Sequence, residues 1–370
     1  MEKPSSFLLT IVLCTSLIGC ITSKRLMHQQ TTLSATEILP YGRYAHANHQ
    51  LELISSAAHF GFSFRGRTCQ VFASIPAEND HNYLQYEIDG KYQGKLRVTV
   101  RDSLPIIITA KGNGRHTVWI YKATEAHTGP IFINKIVGAK VKALEQSAAP
   151  WIEFIGNSIT CGAAADDSEV PCGTGVYHDQ HNAYDAYGPR VARELGVNYL
   201  LSSVSGIGIY RNWNSDGPTL PQVYDKIDFQ KDSSREWDFK TTPPAIVSIA
   251  MGTNDFSGGD GITPRLPFDE LAFTAKYIAF VQQVKAHYPA AQIVLLDSPI
   301  LKGEQKDTLV RCLSAVKTSI DVLYPLDLPV RIHLFTPMQA RGCTGHPSVA
   351  DHALLAEELL PFFKQCLPEY

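Results

Sequence analysis

Four short loops in the second half of the chain carry residue types that chemistry uses. Gly156-Asn157-Ser158-Ile159-Thr160 places a hydroxyl just past the apolar run 151–155. A serine at a strand end is exposed, and at a helix start the free backbone N–H groups can hold a developing oxyanion; the same position is also an ordinary helix cap. Ser205-Gly206-Ile207-Gly208 follows a second apolar run, and glycine there lets an inward N–H approach a ligand. Gly252-Thr253-Asn254-Asp255 follows a third and offers the Asn254 amide, which could equally close an Asx-turn. Gly345-His346-Pro347 follows the last run. Proline suits a first helical position, which puts His346 at a helix cap, where the positive helix end should keep imidazole neutral and fit for general-base work. His178, His181 and His352 are rival bases, but none follows a strand end. A nucleophile, two oxyanion donors and a base thus stand on four separate loops.

Loops can converge only if the elements beneath them bring them together. From Trp151 onward, strand-length apolar runs (151–155, 199–204, 245–250, 293–296 and 331–335) alternate with helical stretches (186–195, 268–287, 307–320 and 347–365). In the stretch 268–287, Leu271, Ala275, Ile278 and Val281 recur at helical spacing and predict its buried face. Such alternation predicts a parallel five-stranded sheet with helices on both faces, a flavodoxin-like α/β domain over 150–370 whose chemistry sits at the carboxyl ends of the strands. Residues 38–145 instead show period-two alternation, as in Phe60-Gly61-Phe62-Ser63-Phe64 and Leu84-Gln85-Tyr86-Glu87-Ile88, with turn signals at Asp89-Gly90 and Gly112-Asn113-Gly114. About eight short strands are expected there, as an all-β jelly-roll sandwich.

The order Ser, Gly, Asn, His resembles the four blocks of the SGNH (GDSL) hydrolases. In detail, 154–162 (Phe-Ile-Gly-Asn-Ser-Ile-Thr-Cys-Gly), Arg211-Asn212-Trp213-Asn214, Gly252-Thr253-Asn254-Asp255-Phe256-Ser257 and Gly342-Cys343-Thr344-Gly345-His346-Pro347-Ser348 look like carbohydrate esterase family two. That resemblance covers nearly all of 40–365, including the jelly roll before the hydrolase. It implies Ser158 as nucleophile, His346 as base, and an oxyanion hole from the N–H groups of Ser158 and Gly206 and the Asn254 amide. It implies removal of acetyl groups from plant polysaccharides such as xylan and glucomannan, with no metal or other cofactor. Two positions depart from it. Asn157 replaces an aspartate before the serine, and Cys343 replaces the aspartate three residues before the histidine. Neither a thiol nor half a disulfide stabilises imidazolium as a carboxylate does. A backbone carbonyl accepting from Nδ1–H would keep the tautomer right, so a Ser–His dyad is expected. Trp213 and Trp237 are the candidates for stacking on a sugar ring, and Trp151 for the domain interface.

Composition narrows the alternatives. In 370 residues, hydrophobic residues are 44% and charged residues 19%, which is globular. A net charge of −3 lacks the basic excess of a nucleic-acid binder. The run Phe7–Ile18 is too short to span a bilayer but suits a signal-peptide core. It ends in Leu17-Ile18-Gly19-Cys20, which resembles a bacterial lipobox. That implies a signal over 1–19, lipid on Cys20, a polar tether over 20–37, and an exported, membrane-anchored monomer in the periplasm or at the cell surface. Export permits disulfides, and Cys161–Cys172 is the first candidate because it closes a short loop. Three other functions stay open: an SGNH esterase or lipase for other short acyl esters, a glycan-binding lipoprotein with weakened catalysis, and a purely structural lipoprotein.

Overall fold

In the α/β half, five apolar runs become strands Trp151–Gly156 (β1), Asn198–Ser203 (β2), Ile246–Ala250 (β3), Gln292–Leu296 (β4) and Arg331–His333 (β5). The computed structural model describes residues 30–100, 104–262 and 264–367, so Cys20 and the signal lie outside the described residues. All neighbouring strands pair in parallel, in the order β2-β1-β3-β4-β5. The order reverses at β1, so the crevice of this open sheet lies past the ends of β1 and its neighbours. Strands covered on both faces read as continuous apolar runs, and β1 fits except for Glu153, which is fully buried.

The helices Tyr187–Leu195 (α1), Glu270–His287 (α2), Gly303–Leu323 (α3) and Val349–Cys366 (α4) flank the sheet. The buried face of α2 differs from the expected one. Phe273, Tyr277, Phe280, Val281 and Val284 point inward, while Leu271 is 84% exposed and Ala275 is exposed. Two apolar stripes at helical spacing compete on this helix. The aromatic one wins because its rings remove more surface from water.

Among the described residues, the first half is an antiparallel network of ten strands wrapped around its own core of Phe60, Phe62, Phe64, Leu84, Val118, Ile120 and others. Two strands are long, His59–Ser74 and Ile131–Ala143, and most of the others pair with one of them. Asp89-Gly90, both at positive φ, makes the expected two-residue hairpin between His81–Ile88 and Lys91–Thr99. The turn at Gly112-Asn113-Gly114 does not make a hairpin. The strands on either side of it, Ile106–Thr109 and Arg115–Lys122, both add to successive parts of His59–Ser74. The polar tether is also shorter than expected: Gln30–Ser34 pairs with the strand Ile131–Ala143 and buries Leu33, so this domain has begun by residue 30.

The two halves are welded by buried polar groups. Arg43, from the β domain, is fully buried inside the α/β domain. It donates to Ser202 Oγ (3.1 Å) and to the carbonyls of Tyr224 and Lys226 (2.7 Å each), and its guanidinium lies over the Phe229 ring at 4.2 Å. Glu153 sits 3.7 Å from it and also accepts from Ser202 Oγ and Tyr224 Oη, so the lone charge in β1 is answered. Trp151 stacks on Tyr41 (5.3 Å) and Tyr199 on His59 (4.7 Å) across the same seam. Removing one member of a buried ion pair strands the other. Arg43→Ala should therefore lower unfolding free energy by about 3–5 kcal/mol in urea titration; a midpoint equal to that of the unchanged protein would contradict this reading of the interface.

Candidate active site

β1 ends in Asn157, whose side chain accepts from the Ile159 N–H (3.1 Å) and caps the one-turn helix Ser158–Cys161. An amide thus does this local work in place of the aspartate. Ser158, on the first turn, keeps its N–H among the amides that no helical carbonyl takes up.

His346 arrives from the other end of the sheet. The loop before it is a tight fold in which Gly342 N–H donates to the His346 carbonyl (2.7 Å) and His346 N–H to the Cys343 carbonyl (3.0 Å). A Cβ on Gly342 would lie 2.8 Å from the carbonyl oxygens of both Ala164 and His346, so only glycine fits there. Thr344 takes a left-handed φ of 51°, a strained choice for a β-branched residue. Those contacts swing the ring back toward the sheet, where Nε2 lies 2.8 Å from Ser158 Oγ.

His346 is not at the helix cap. Ser348 caps α4 in a capping box with Asp351, and His346 lies two residues outside it. Its pKa is still held below the ordinary 6.5, but the main cause is burial rather than the helix end. Nδ1 faces the Cys343 carbonyl (3.3 Å) and Thr344 Oγ1 (3.1 Å). Those acceptors put the proton on Nδ1 and leave Nε2 free to accept from the serine. Two carboxylates that could have backed the histidine, Asp351 and Asp255, are occupied elsewhere. Asp351 binds Arg341 and Ser348. Asp255 accepts from the N–H groups of Ile209, Tyr210 and Arg211, and burial raises its pKa to about 6.

The remaining loops close the circle. Tyr177 Oη lies 3.3 Å from His346 Nε2 and 3.4 Å from Ser205 Oγ. Gly206 follows at φ 75°, with nothing within 4 Å of where a Cβ would stand. The Asn254 side-chain N–H donates to the Ile207 carbonyl (2.7 Å), leaving its second hydrogen for a ligand. Ser158, Gly206, Asn254 and His346 therefore belong to one linked cluster at the strand ends. The rival histidines are engaged with partners other than Ser158. His352 is buried in α4 with its pKa pushed down to about 3, His178 packs against His81 with its pKa down to about 4, and His181 binds Glu125. Tyr177 and Glu125 were not singled out from sequence, because neither sits in one of the four blocks; Thr344 sits in the last block, but its left-handed turn beside His346 is visible only in the fold.

The two tryptophans part company. Trp213 is 45% exposed and lines a groove of about 270 Å³ with Ser205, Gly206, Asn212 and Pro218, next to the cluster. Trp237 is 8% exposed, packed edge-on against Tyr44 beside the Arg43 guanidinium, and presents no face to a ligand. An apolar ring at a domain seam and one at a binding rim have the same composition signal, which is why sequence could not separate them.

The disulfide also differs from the expected pairing. Cys172 bonds Cys343, while Cys161 is a buried free thiol against Ser203 Oγ (3.2 Å). Cys161 ends the one-turn helix that carries Ser158, its thiol buried against Ser203 and Glu125, whereas the loop bearing Cys172 leaves that cysteine exposed. The bridge instead ties that loop to the histidine's loop, which Cys343 N–H and Val349 N–H already bind through the carbonyls of Ala164 and Ala165.

Two family models match the chain: carbohydrate esterase 2 N-terminal over residues 41–147, and GDSL-like lipase/acylhydrolase over 154–324. An acetylxylan esterase/glucomannan deacetylase of Cellvibrio japonicus is 25% identical over 359 residues, covering 95% of each chain. The cellulase/esterase CelE of Acetivibrio thermocellus is 29% identical across 84% of this chain, which spans only 37% of that longer protein. Among solved structures, a family two carbohydrate esterase from Clostridium thermocellum in complex with cellohexaose superposes with a TM-score of 0.75 at 26% identity, over 89% of this chain and 98% of that one. Non-reducing peptide mapping should recover a linked Cys172–Cys343 peptide, and replacing both by serine should lower stability by about 2–4 kcal/mol. A Cys161–Cys172 peptide would contradict the placement.

Proposed function

We propose that this chain, which joins a carbohydrate esterase 2 N-terminal domain to a GDSL-like acylhydrolase domain, acts as a family two carbohydrate esterase and removes O-acetyl groups from plant cell-wall polysaccharides of the xylan or glucomannan type. The observation that carries this reading is the 2.8 Å contact between Ser158 Oγ and His346 Nε2 at the carboxyl rim of the sheet. His346 takes the serine proton as Oγ attacks the acetyl carbonyl. The resulting oxyanion is received by the N–H groups of Ser158 and Gly206 and the free Asn254 hydrogen, each such donor being worth about 3–4 kcal/mol. His346 then protonates the sugar oxygen as the C–O bond breaks, leaving an acetyl-serine. Water, deprotonated by the same nitrogen, releases acetate. The Cys343 carbonyl keeps the tautomer without a carboxylate, so Ser158 and His346 work as a dyad. In this reading the groove beside Trp213 holds a sugar, which is supported by an apolar wall from the Trp213 ring and a polar edge from Asn212 and Ser205.

A binding protein with decayed catalysis draws its support from Asn157 and Cys343. Both replacements leave the geometry of proton transfer in place, and that favours turnover. The small, polar loop 164–175 favours a short acyl group, so octanoate esters should be turned over far more slowly than acetate esters; comparing the two separates this enzyme from a general lipase. We also propose that Cys20 carries lipid and anchors the protein to a membrane, supported by the apolar run that ends at Leu17-Ile18-Gly19-Cys20; Cys20→Ala should then move the protein from the membrane to the soluble fraction, and an unchanged distribution would count against it.

Acetate release from acetylated xylan and glucomannan should fall on the order of 10⁶-fold in Ser158→Ala, and His346→Ala should lose far more than Asp351→Ala, whose main effect is a loosened cap of about 1 kcal/mol. Retained release in Ser158→Ala would refute the assignment. Because imidazolium cannot take the serine proton and the His346 pKa is held down, kcat/KM should stay flat as pH falls through 6.5 and decline only below it; a limb centred above 6.5 would contradict the buried-base reading.

A further inference from the structure

The strand Arg115–Lys122 of the β domain runs into a turn, 123–129, that enters the α/β domain, where Ala126 joins the hydrophobic core. The turn is pinned from within. Lys122 is fully buried and donates from Nζ to the carbonyls of Thr124 (3.0 Å) and Glu125 (2.6 Å) and to Thr128 Oγ1 (3.2 Å). The next polar group is the Glu125 carboxylate, 4% exposed.

That carboxylate has two arms. Oε2 accepts the Ser205 N–H at 2.6 Å, one residue before Gly206, and lies 3.7 Å from the Cys161 thiol at the end of the nucleophile's helix. Oε1 faces His181 Nε2 at 3.3 Å. His181 Nδ1 accepts the Ala164 N–H (3.4 Å), which leaves its proton on Nε2, pointing at the carboxylate. The His181 ring stands edge-on to Tyr177 at 4.8 Å, and Tyr177 Oη reaches His346 Nε2. One arm thus ends beside Gly206, and the other leads through His181 and Tyr177 toward His346.

The contacts are unusual for a stability device. A buried carboxylate is costly unless paired, and this one bonds an amide, a thiol and an imidazole, while the Lys122 ammonium lies in its field but bonds Glu125's own carbonyl. The charge is nonetheless kept. Burial would raise the pKa, but the hydrogen bonds from His181 and Ser205 outweigh it and hold the group near 2. The negative field also favours the protonated form of His346, opposing the His181 contribution.

We propose that Glu125 is a positioning residue for the deacetylation: one buried carboxylate from the β domain holds the Ser205-Gly206 turn in register with Ser158, steadies Tyr177 against His346 through His181, and supplies from a distance the negative charge that Cys343 cannot give. The active site is then assembled from both domains. This rests on the esterase reading above.

The test uses the full chain and 4-nitrophenyl acetate. In Glu125→Gln the new amide meets the His181 Nε2–H donor against donor, while its carbonyl can still accept from Ser205. kcat should fall about 10–100-fold, the cost of a small misplacement at the reacting atoms, with KM within about threefold. The acid limb of kcat/KM should move to lower pH, because the anion that favours imidazolium is gone. The groups facing His346 from the packed elements are Ser158, Tyr177 and Thr344, with His181, His352 and Glu125 as the titratable ones in its field. Glu125→Asp separates charge from reach: it should leave the acid limb where it was while kcat stays reduced, and it carries the test alone if the glutamine variant does not fold. Wild-type kcat and an unmoved limb in both variants, or a rise in KM alone, overturn the proposal. An unchanged protein inert toward the ester refutes the esterase reading instead, so the two failures are distinguishable.

Discussion

A hydroxyl and an imidazole 188 residues apart must meet within one hydrogen bond, and the rest of the molecule serves that meeting. The serine side of it is local: β1 ends, Asn157 caps, and Ser158 stands on a first turn. The histidine side is not. His346 lies beyond the short edge strand β5, on a loop with a left-handed threonine, and something must hold that loop against the central strand. The Cys172–Cys343 bridge and the two backbone bonds to Ala164 and Ala165 do so.

This arrangement explains the missing carboxylate. A cysteine committed to a bridge cannot orient an imidazole by charge, but its carbonyl can orient it by hydrogen bonding. The bridge fixes where that carbonyl points. The position that would give charge thus gives placement, and the charge is left to the buried Glu125 one layer beneath. Such division of labour needs the β domain to be part of the site. Arg43, Trp151, Tyr199 and Ala126 show the two halves sharing a core as well as a surface.

Much of this was legible in the residues. Alternating strand and helix patterns gave five strands to within a residue or two, because buried parallel strands are continuous apolar runs and the periods differ sharply. The four loops stood out because each follows a strand end. What failed was partner choice across distance. Cys161 was close to Cys172 in number, yet its side chain faces the core. Leu271 had the right period, yet lost its place to Phe273. Trp237 had the right type, yet filled the domain seam. Glu125 left no mark, since a lone acid in a turn of another domain acquires meaning only once the fold buries it beside Ser205.

The most direct measurement is rapid-quench mass spectrometry of the protein mixed with an aryl acetate. The account predicts a transient acetyl group on the peptide containing Ser158, formed and lost at the rate of turnover and absent in His346→Ala. Sustained hydrolysis with no acetyl on that peptide, or with acetyl on another residue, would contradict it.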